Sequence, residues 1–363
     1  MGYDVKEICT HFKIYGDFIN AVPFGEGHIN STYKVIFNQA GNNISYIFQI
    51  INVNVFKDPY AVMENVSRVT DHLKKKQAYR KDLSRRALTL IKTVDGSYMH
   101  KDDYNNYWRA YFFIENTTCY EVIESAEQAY KLAKSFGKFQ KYLVDIPGKR
   151  LNDTIADFHN TPKRLEALEK SIEEDIGDRV KDVKEEIEFI LSRKSKTTRF
   201  IDLQTAGDLP ERICHYDTKI NNVMMDNITG EGICIIDLDT VMPGFILYDF
   251  GDMIRTSTSP AVEDEIDLSK VNMQMHLFEA LVKGYLSSAG KFLNKTEKDN
   301  LVMGGWMITL ENAIRFLMDH LQMDTYYQIN RVNHNLDRCR TQIALIKSIE
   351  EQMDTMNQFV ESV

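Results

Sequence analysis

The chain has 363 residues, 43% hydrophobic and 27% charged, with a formal net charge of -9. As a soft prior that length means two domains or one large bilobal unit, and the composition excludes disordered and fibrous classes. The acidic balance argues against nucleic acid or an anionic membrane as the main partner.

The first third reads as strands around one helix. Residues 29–37 form a strand-like run, 39–43 have turn chemistry, and 45–52, rich in aromatic and β-branched side chains, form a second strand, which together predict a hairpin. Pro59 opens a helix over 60–75 with Val62, Val66 and Val69 on one face. Further strands are expected at 87–93, 97–100 and 107–114. The character then turns helical. Ser125 is a candidate N-cap with Gln128 at the capping-box position, and Ala129, Leu132, Ala133, Phe136 and Leu143 form the stripe that follows. Another helix places Val180, Val183, Ile187 and Ile190 together. Short strands near 212–215, 223–226 and 232–236 precede helices that run to the end. Sheet first and helices after give an α+β chain with a lobe boundary near Glu115.

The five cysteines, Cys9, Cys119, Cys214, Cys234 and Cys339, show no metal-binding spacing and read as small buried hydrophobes in a reducing cytosol. Residues 1–10 carry Asp4, Lys6 and Glu7 without an apolar core, unlike a signal peptide, and no stretch is apolar for long enough to span a bilayer. A soluble cytoplasmic protein is expected.

The chemistry concentrates in residues 213–223, where His215-x-Asp217-x-x-x-x-Asn222 has the pattern of a kinase catalytic loop. Phosphoryl transfer needs a carboxylate beside the acceptor hydroxyl and, a few residues on, an amide oxygen to hold magnesium. His215 is expected to brace the loop backbone. The apolar run 233–236 then ends at Asp237, which delivers a second magnesium ligand, and Asp239 lies on the same strand face as a further candidate. Either motif alone occurs by chance. Together, in this order after a β-rich first third, they indicate transfer of a phosphoryl group from ATP.

The chain also resembles the aminoglycoside phosphotransferase-like kinases and, within that superfamily, the N-acetylhexosamine 1-kinases. The resemblance is carried by GEGHINSTY at 25–33, NVNVFKDP at 52–59, DFH at 157–159 and the His215 loop. It continues with YDFGDMIRT at 248–256, RFL at 315–317 and NLDR at 335–338. It implies a bilobal protein-kinase-like fold, with a small β-rich nucleotide-binding lobe over 1–115 and a larger helical lobe over 116–363. It implies ATP and Mg2+ as cofactors and a small-molecule sugar acceptor phosphorylated on its anomeric hydroxyl. Asp217 would be the base, Lys219 would face the transferring phosphate, and Asn222 and Asp237 would hold magnesium with help from Asp239. Gly25, Gly27, Asn30 and Thr32 would line the phosphate-covering hairpin, and Glu115 would sit at the adenine hinge. Arg315 and Tyr326, then Asp252 and Arg255, would reach the acceptor.

One departure stands out. The strand at 46–52 has no lysine where many kinases place one on the α- and β-phosphates; Gln49 is near that position and Ile50 is apolar. Magnesium and the backbone amides of the 25–30 turn are expected to do more of the holding. Glu64 has two readings, the helix glutamate of kinases or a surface charge. His159 has two, a packing or capping role or ligand contact, and so has the pair Tyr326 and Tyr327, core aromatics or a sugar platform. Arg315 and Asp319, at i and i+4, also read as a plain side-chain pair. An aminoglycoside, choline or homoserine kinase, or a silent kinase-like binding module, are the competing functions.

Overall fold

In the computed structural model, residues 3–25 and 29–363 are described. The N-terminal elements are α1 (Val5–Cys9), β1 (Asp17–Pro23), β2 (Ser31–Gln39), β3 (Asn42–Ile51) and α2 (Pro59–Lys76). β4 (His100–Lys101), β5 (Tyr107–Phe112), β6 (Thr117–Thr118), α3 (Ala126–Leu143) and α4 (Thr161–Glu174) follow. Next come α5 (Lys184–Leu191), α6 (Arg199–Thr205), β7 (Arg212–Cys214), β8 (Val223–Asp226), β9 (Gly232–Ile235) and β10 (Met242–Gly244). α7 (Ile246–Ser257), α8 (Met275–Ala289), α9 (Lys295–Asp299), α10 (Leu301–Leu321) and α11 (His334–Ser362) complete the chain. The fold is thus α+β, with a β-sheet N-terminal region and a helical C-terminal region. No helix among the described residues is long and apolar enough to cross a membrane.

The chain divides into two compact units. Unit 1 takes the described residues up to Cys119, with Asp145–Ala156 and Met224–Met242. Its antiparallel sheet has the order β1-β2-β3-β5-β4. Val35, Phe37, Tyr46, Phe48, Ile50, Trp108 and Ala110 alternate inward, and Val5, Ile8 and Cys9 of α1 cover them. The β2–β3 hairpin turns through Ala40 and Gly41, both at positive φ, which matches the twist of the strands it joins. α2 is capped by Asp58, whose carboxylate accepts from the amides of Tyr60 and Ala61, and it buries Val62, Met63, Val66, Val69 and Leu73. A second sheet, ordered β6-β8-β9, completes the unit.

Three sequence expectations need correction here: of the strand expected at 97–100, only His100 belongs to one, β4. Residues 87–93 form no strand; only isolated bridges link Leu90 to Tyr111 and Phe12 to Thr93. The edge strand β1 was not expected. A register shift between Phe18 and Asn20 breaks its alternation, so its pattern of burial has no period of two.

Unit 2 comprises Tyr120–Val144, Asp157–Val223 and Pro243–Val363. Ser125 caps α3 by accepting from the Gln128 amide, while the Gln128 side chain accepts from the amide of Glu124 rather than that of Ser125. Every residue of the expected α3 stripe is buried. The helix expected through Val180 starts later: residues 180–182 are a single 3-10 turn, and α5 begins at Lys184. α10 is buried on nearly all sides. It approaches α7 so closely that a Cβ on Gly251 would lie 2.2 Å from the Gly304 carbonyl oxygen, and one on Gly304 2.3 Å from that of Leu247.

Candidate active site

In unit 2 the loop after β7 carries Asp217, and its shape is imposed by α7. Asp249 accepts from the amides of His215 and Tyr216, both at 2.8 Å, and from the Gln140 side chain at 2.7 Å. One turn on, Asp252 accepts from the Thr218 amide at 3.0 Å, and the Thr218 hydroxyl donates to the Asp249 carbonyl. These bonds hold Tyr216 at φ 67, a left-handed conformation that a bulky side chain rarely adopts. His215 is fully buried, edge-on to Phe136 and Phe139, and its Nδ1 accepts from the Asp217 amide at 3.3 Å. His215 thus meets the loop backbone through the Asp217 amide.

Asp217 itself keeps its carboxylate reachable, with 33% of the side chain exposed. Asn222 donates its amide nitrogen to the Asp217 carbonyl and to Oδ2, both at 2.9 Å. The Lys219 ammonium stands 3.5 Å from Oδ1. Burial alone would raise the Asp217 pKa, but Lys219, His215 and the Asn222 bond prevail and hold it below the usual carboxylate range. Asp217 in turn pushes the Lys219 ammonium above its ordinary value.

The other unit 2 residues fall into two groups. Asp252 and Arg255 are engaged internally: Asp252 also pairs with Arg255 Nε at 2.9 Å, and Arg255 Nη1 reaches Glu263 at 2.7 Å. Glu311, fully buried, accepts from the Thr161 hydroxyl at 2.6 Å and lies 2.7 Å from His159 Nδ1; the His159 ring stacks on Tyr248. His159 is therefore a packed residue. Asp319 does not pair with Arg315. It accepts from the amides of Tyr326 and Tyr327, at 2.8 and 2.9 Å, and from Asn335. Arg315 lies over the rings of Phe158 and Tyr327, 5.7 and 5.5 Å from their centroids, and makes no hydrogen bond among the described residues. The two tyrosines divide their roles: Tyr327 packs on Phe316, whereas Tyr326 is 64% exposed on a backbone that Asp319 pins.

In unit 1, Asp237 lies two residues beyond β9, exposed and left-handed at φ 57, and the 3-10 turn Leu238–Thr240 takes Asp239 off the strand face expected of it. Asp239 is buried. Both of its oxygens accept from the guanidinium of Arg109, and Oδ2 also accepts from Asn30 Nδ2 at 2.7 Å. Gln49 faces Arg109 across the β3–β5 register; its Oε1 accepts from Arg109 Nε and Nη2, and its Nε2 donates to the Thr32 hydroxyl. Gly25 adopts φ 80, which suits a tight turn, and Gly27 lies outside the described residues. Glu115 is exposed, and its carbonyl accepts from Arg85 at 3.2 Å. Glu64 is half-exposed and bonded to Asn152 and Lys149, which favours its reading as a surface charge. Arg109 was missed in the sequence, although a lone cation inside the apolar run Tyr107–Phe112 is a visible signal.

Among the described residues no three His, Cys, Asp or Glu side chains cluster as a metal site. Asn222 of unit 2 and Asp237 of unit 1 each carry side-chain oxygen, the donor type that suits magnesium.

Residues 20–281 match the phosphotransferase enzyme family. The chain is similar in fold to an aminoglycoside phosphotransferase from Alicyclobacillus acidocaldarius, with TM-score 0.64 and 9% identity over 100% of this chain and 98% of that one. It is similar to choline kinase from Cryptosporidium parvum, with TM-score 0.58 and 15% identity over 99% and 98%. A spectinomycin phosphotransferase solved with ADP and spectinomycin gives TM-score 0.51 and 14% identity over 99% and 98%. With most of its length inside the matched region, the chain belongs to the phosphotransferase enzyme family.

Proposed function

We propose that the protein is a small-molecule kinase that transfers the γ-phosphoryl group of ATP to the anomeric hydroxyl of a free N-acetylhexosamine. The observation that carries the kinase reading is the Asp217 loop: a reachable carboxylate held ionised by Lys219, with Asn222 at hydrogen-bond distance. Asp217 orients the acceptor hydroxyl and takes its proton, and Lys219 offsets charge on the phosphoryl group in flight. Asn222 and Asp237 would hold magnesium, which neutralises charge on the phosphates. An anomeric hydroxyl is more acidic than an ordinary alcohol, so a carboxylate with a lowered pKa is an adequate base. ADP bound to the spectinomycin phosphotransferase supports an adenine nucleotide as donor.

Two features of unit 2 favour a neutral, hydroxyl-rich acceptor over a cationic one. Asp252, Glu263, Glu311 and Asp319 are all engaged by protein partners, so they offer poor counter-charges for choline or an aminoglycoside. Arg315, by contrast, has hydrogen-bond donors to give, and exposed Tyr326 is a ring on which a sugar can stack. The specific choice of N-acetylhexosamine rests on the sequence resemblance at 248–256, 315–317 and 335–338.

The test is ADP release with ATP and magnesium over N-acetylglucosamine, N-acetylgalactosamine, glucose, kanamycin, choline and homoserine. Turnover with the N-acetylated sugars is expected. Turnover only with another acceptor keeps the kinase and removes the sugar; silence across the panel despite ATP binding removes this acceptor class and favours a binding module.

A further inference from the structure

Unit 1 lacks, near Gln49, the lysine that many kinases carry, and Glu64 on α2 is engaged by Arg68, Lys149 and Asn152. Something else must set the geometry there. We propose that Arg109 is the positioning cation of unit 1, acting through Asp239 and Asn30, and that Asp239 is its anchor and not a metal ligand. The proposal rests on the ATP-dependent reading above.

Burial decides how Arg109 acts. The side chains of Arg109 and Asp239 are 1% and 2% exposed, so the guanidinium cannot leave its partner to grip a phosphate. What it does instead is fix atoms. Its fork meets both Asp239 oxygens, the geometry that makes an arginine–carboxylate pair directional, and Gln49 Oε1 takes two more of its N–H groups. Gln49 stands where the lysine is missing, and its role is to hold the arginine that replaces it one strand over. Asp239 Oδ2 then accepts from Asn30, whose own oxygen accepts from the Asn52 amide at 3.0 Å. One guanidinium therefore secures two segments at once: residues 29–30, after the Gly25 turn, and the 3-10 turn that follows exposed Asp237. A second pin holds that same segment, since buried Asn65 on α2 donates to the Val241 carbonyl at 2.9 Å.

The occupancy of Asp239 argues against metal binding. Its two oxygens already accept three hydrogen bonds in a site closed to water, whereas Asp237, two residues earlier, is exposed. A buried ion pair is seldom more stabilising than an apolar pair of the same volume, so its contribution here is direction.

The test measures Mg·ATP affinity by titration calorimetry, with thermal unfolding as the check on folding, in Arg109→Lys, Asp239→Asn and the neutral double variant Arg109→Met/Asp239→Leu. Each single variant should weaken Mg·ATP about 10- to 100-fold, the range for residues that orient a ligand from behind. The double variant should unfold near the wild-type temperature yet bind no better than the weaker single. Wild-type affinity in the double variant would reduce the pair to packing and overturn the proposal. So would a loss of magnesium dependence in Asp239→Asn with Arg109→Lys unaffected, since that makes Asp239 a direct ligand. If the wild-type protein itself binds no Mg·ATP, the kinase reading and this inference fall together; binding by the wild type with unchanged variants removes the inference alone.

Discussion

The two units solve the same problem, holding an aspartate at a defined place, in opposite ways. In unit 1 the buried carboxylate of Asp239 is gripped by a cation, and the carboxylate is what becomes fixed. In unit 2 the buried carboxylates of Asp249 and Asp252 do the gripping, and the object fixed is backbone, the amides of His215, Tyr216 and Thr218. Asp217, carried on that backbone, keeps a reachable side chain. The difference separates direction from reactivity: a buried carboxylate engaged on both oxygens orients its neighbours, while one held by its backbone remains open to a substrate.

The largest effect expected from this contrast is at Asp217. Replacing it with Asn keeps the shape and removes the proton acceptor, so kcat should fall by about 10²–10⁴. Mg·ATP affinity and the unfolding temperature should stay close to wild type. Near-normal kcat in Asp217→Asn would show that the reachable carboxylate is not the base. The next effect is at Asp249, whose role is structural. Asp249→Ala leaves two buried amide N–H groups and the Gln140 side chain without an acceptor, a loss of about 3 kcal/mol or more in chemical denaturation at one to three per orphaned group. Asp249→Asn, which keeps one acceptor oxygen, should lose less. Equal losses in the two variants would mean that charge, and not the acceptor geometry, braces the loop.

How far the sequence revealed this contrast depends on the range of the interaction. The β2–β3 hairpin, α2 and α3 were readable because the turn at 39–43, Pro59, the Ser125 cap and the apolar stripes all lie within a few residues of what they organise. The Asp217 loop was readable because its spacing is local as well: Asn222 bonds Asp217 five residues away. The Arg109–Asp239 pair joins residues 130 apart, so only the lone arginine in an apolar strand hinted at it. β1 was missed because a bulge disrupts its period, and the bracing role of Asp252 was hidden because its partner is a backbone amide 34 residues away. Glu64 had a local helical position with Arg68 one turn on, and the structure pairs it with that arginine and with the more distant Asn152 and Lys149.

The smallest effect expected is also the sharpest probe of why Asp217 stays ionised. Its folded-state pKa is depressed, so the carboxylate form and the stability it confers are present above the unfolded value of about 3.9 and are lost as pH falls through the folded value. The acid limb of kcat/KM should therefore lie below the ordinary carboxylate range, with no loss from this group toward neutral pH. Among the neighbours that lower it, Lys219 acts most strongly against the upward push of burial. Lys219→Met removes that charge and leaves burial in place, so the acid limb should move to higher pH while its slope stays that of a single proton. A limb that stays in place when kcat falls would assign Lys219 to the phosphoryl group alone. A limb that moves with little change in kcat at neutral pH would make it chiefly the keeper of the Asp217 charge.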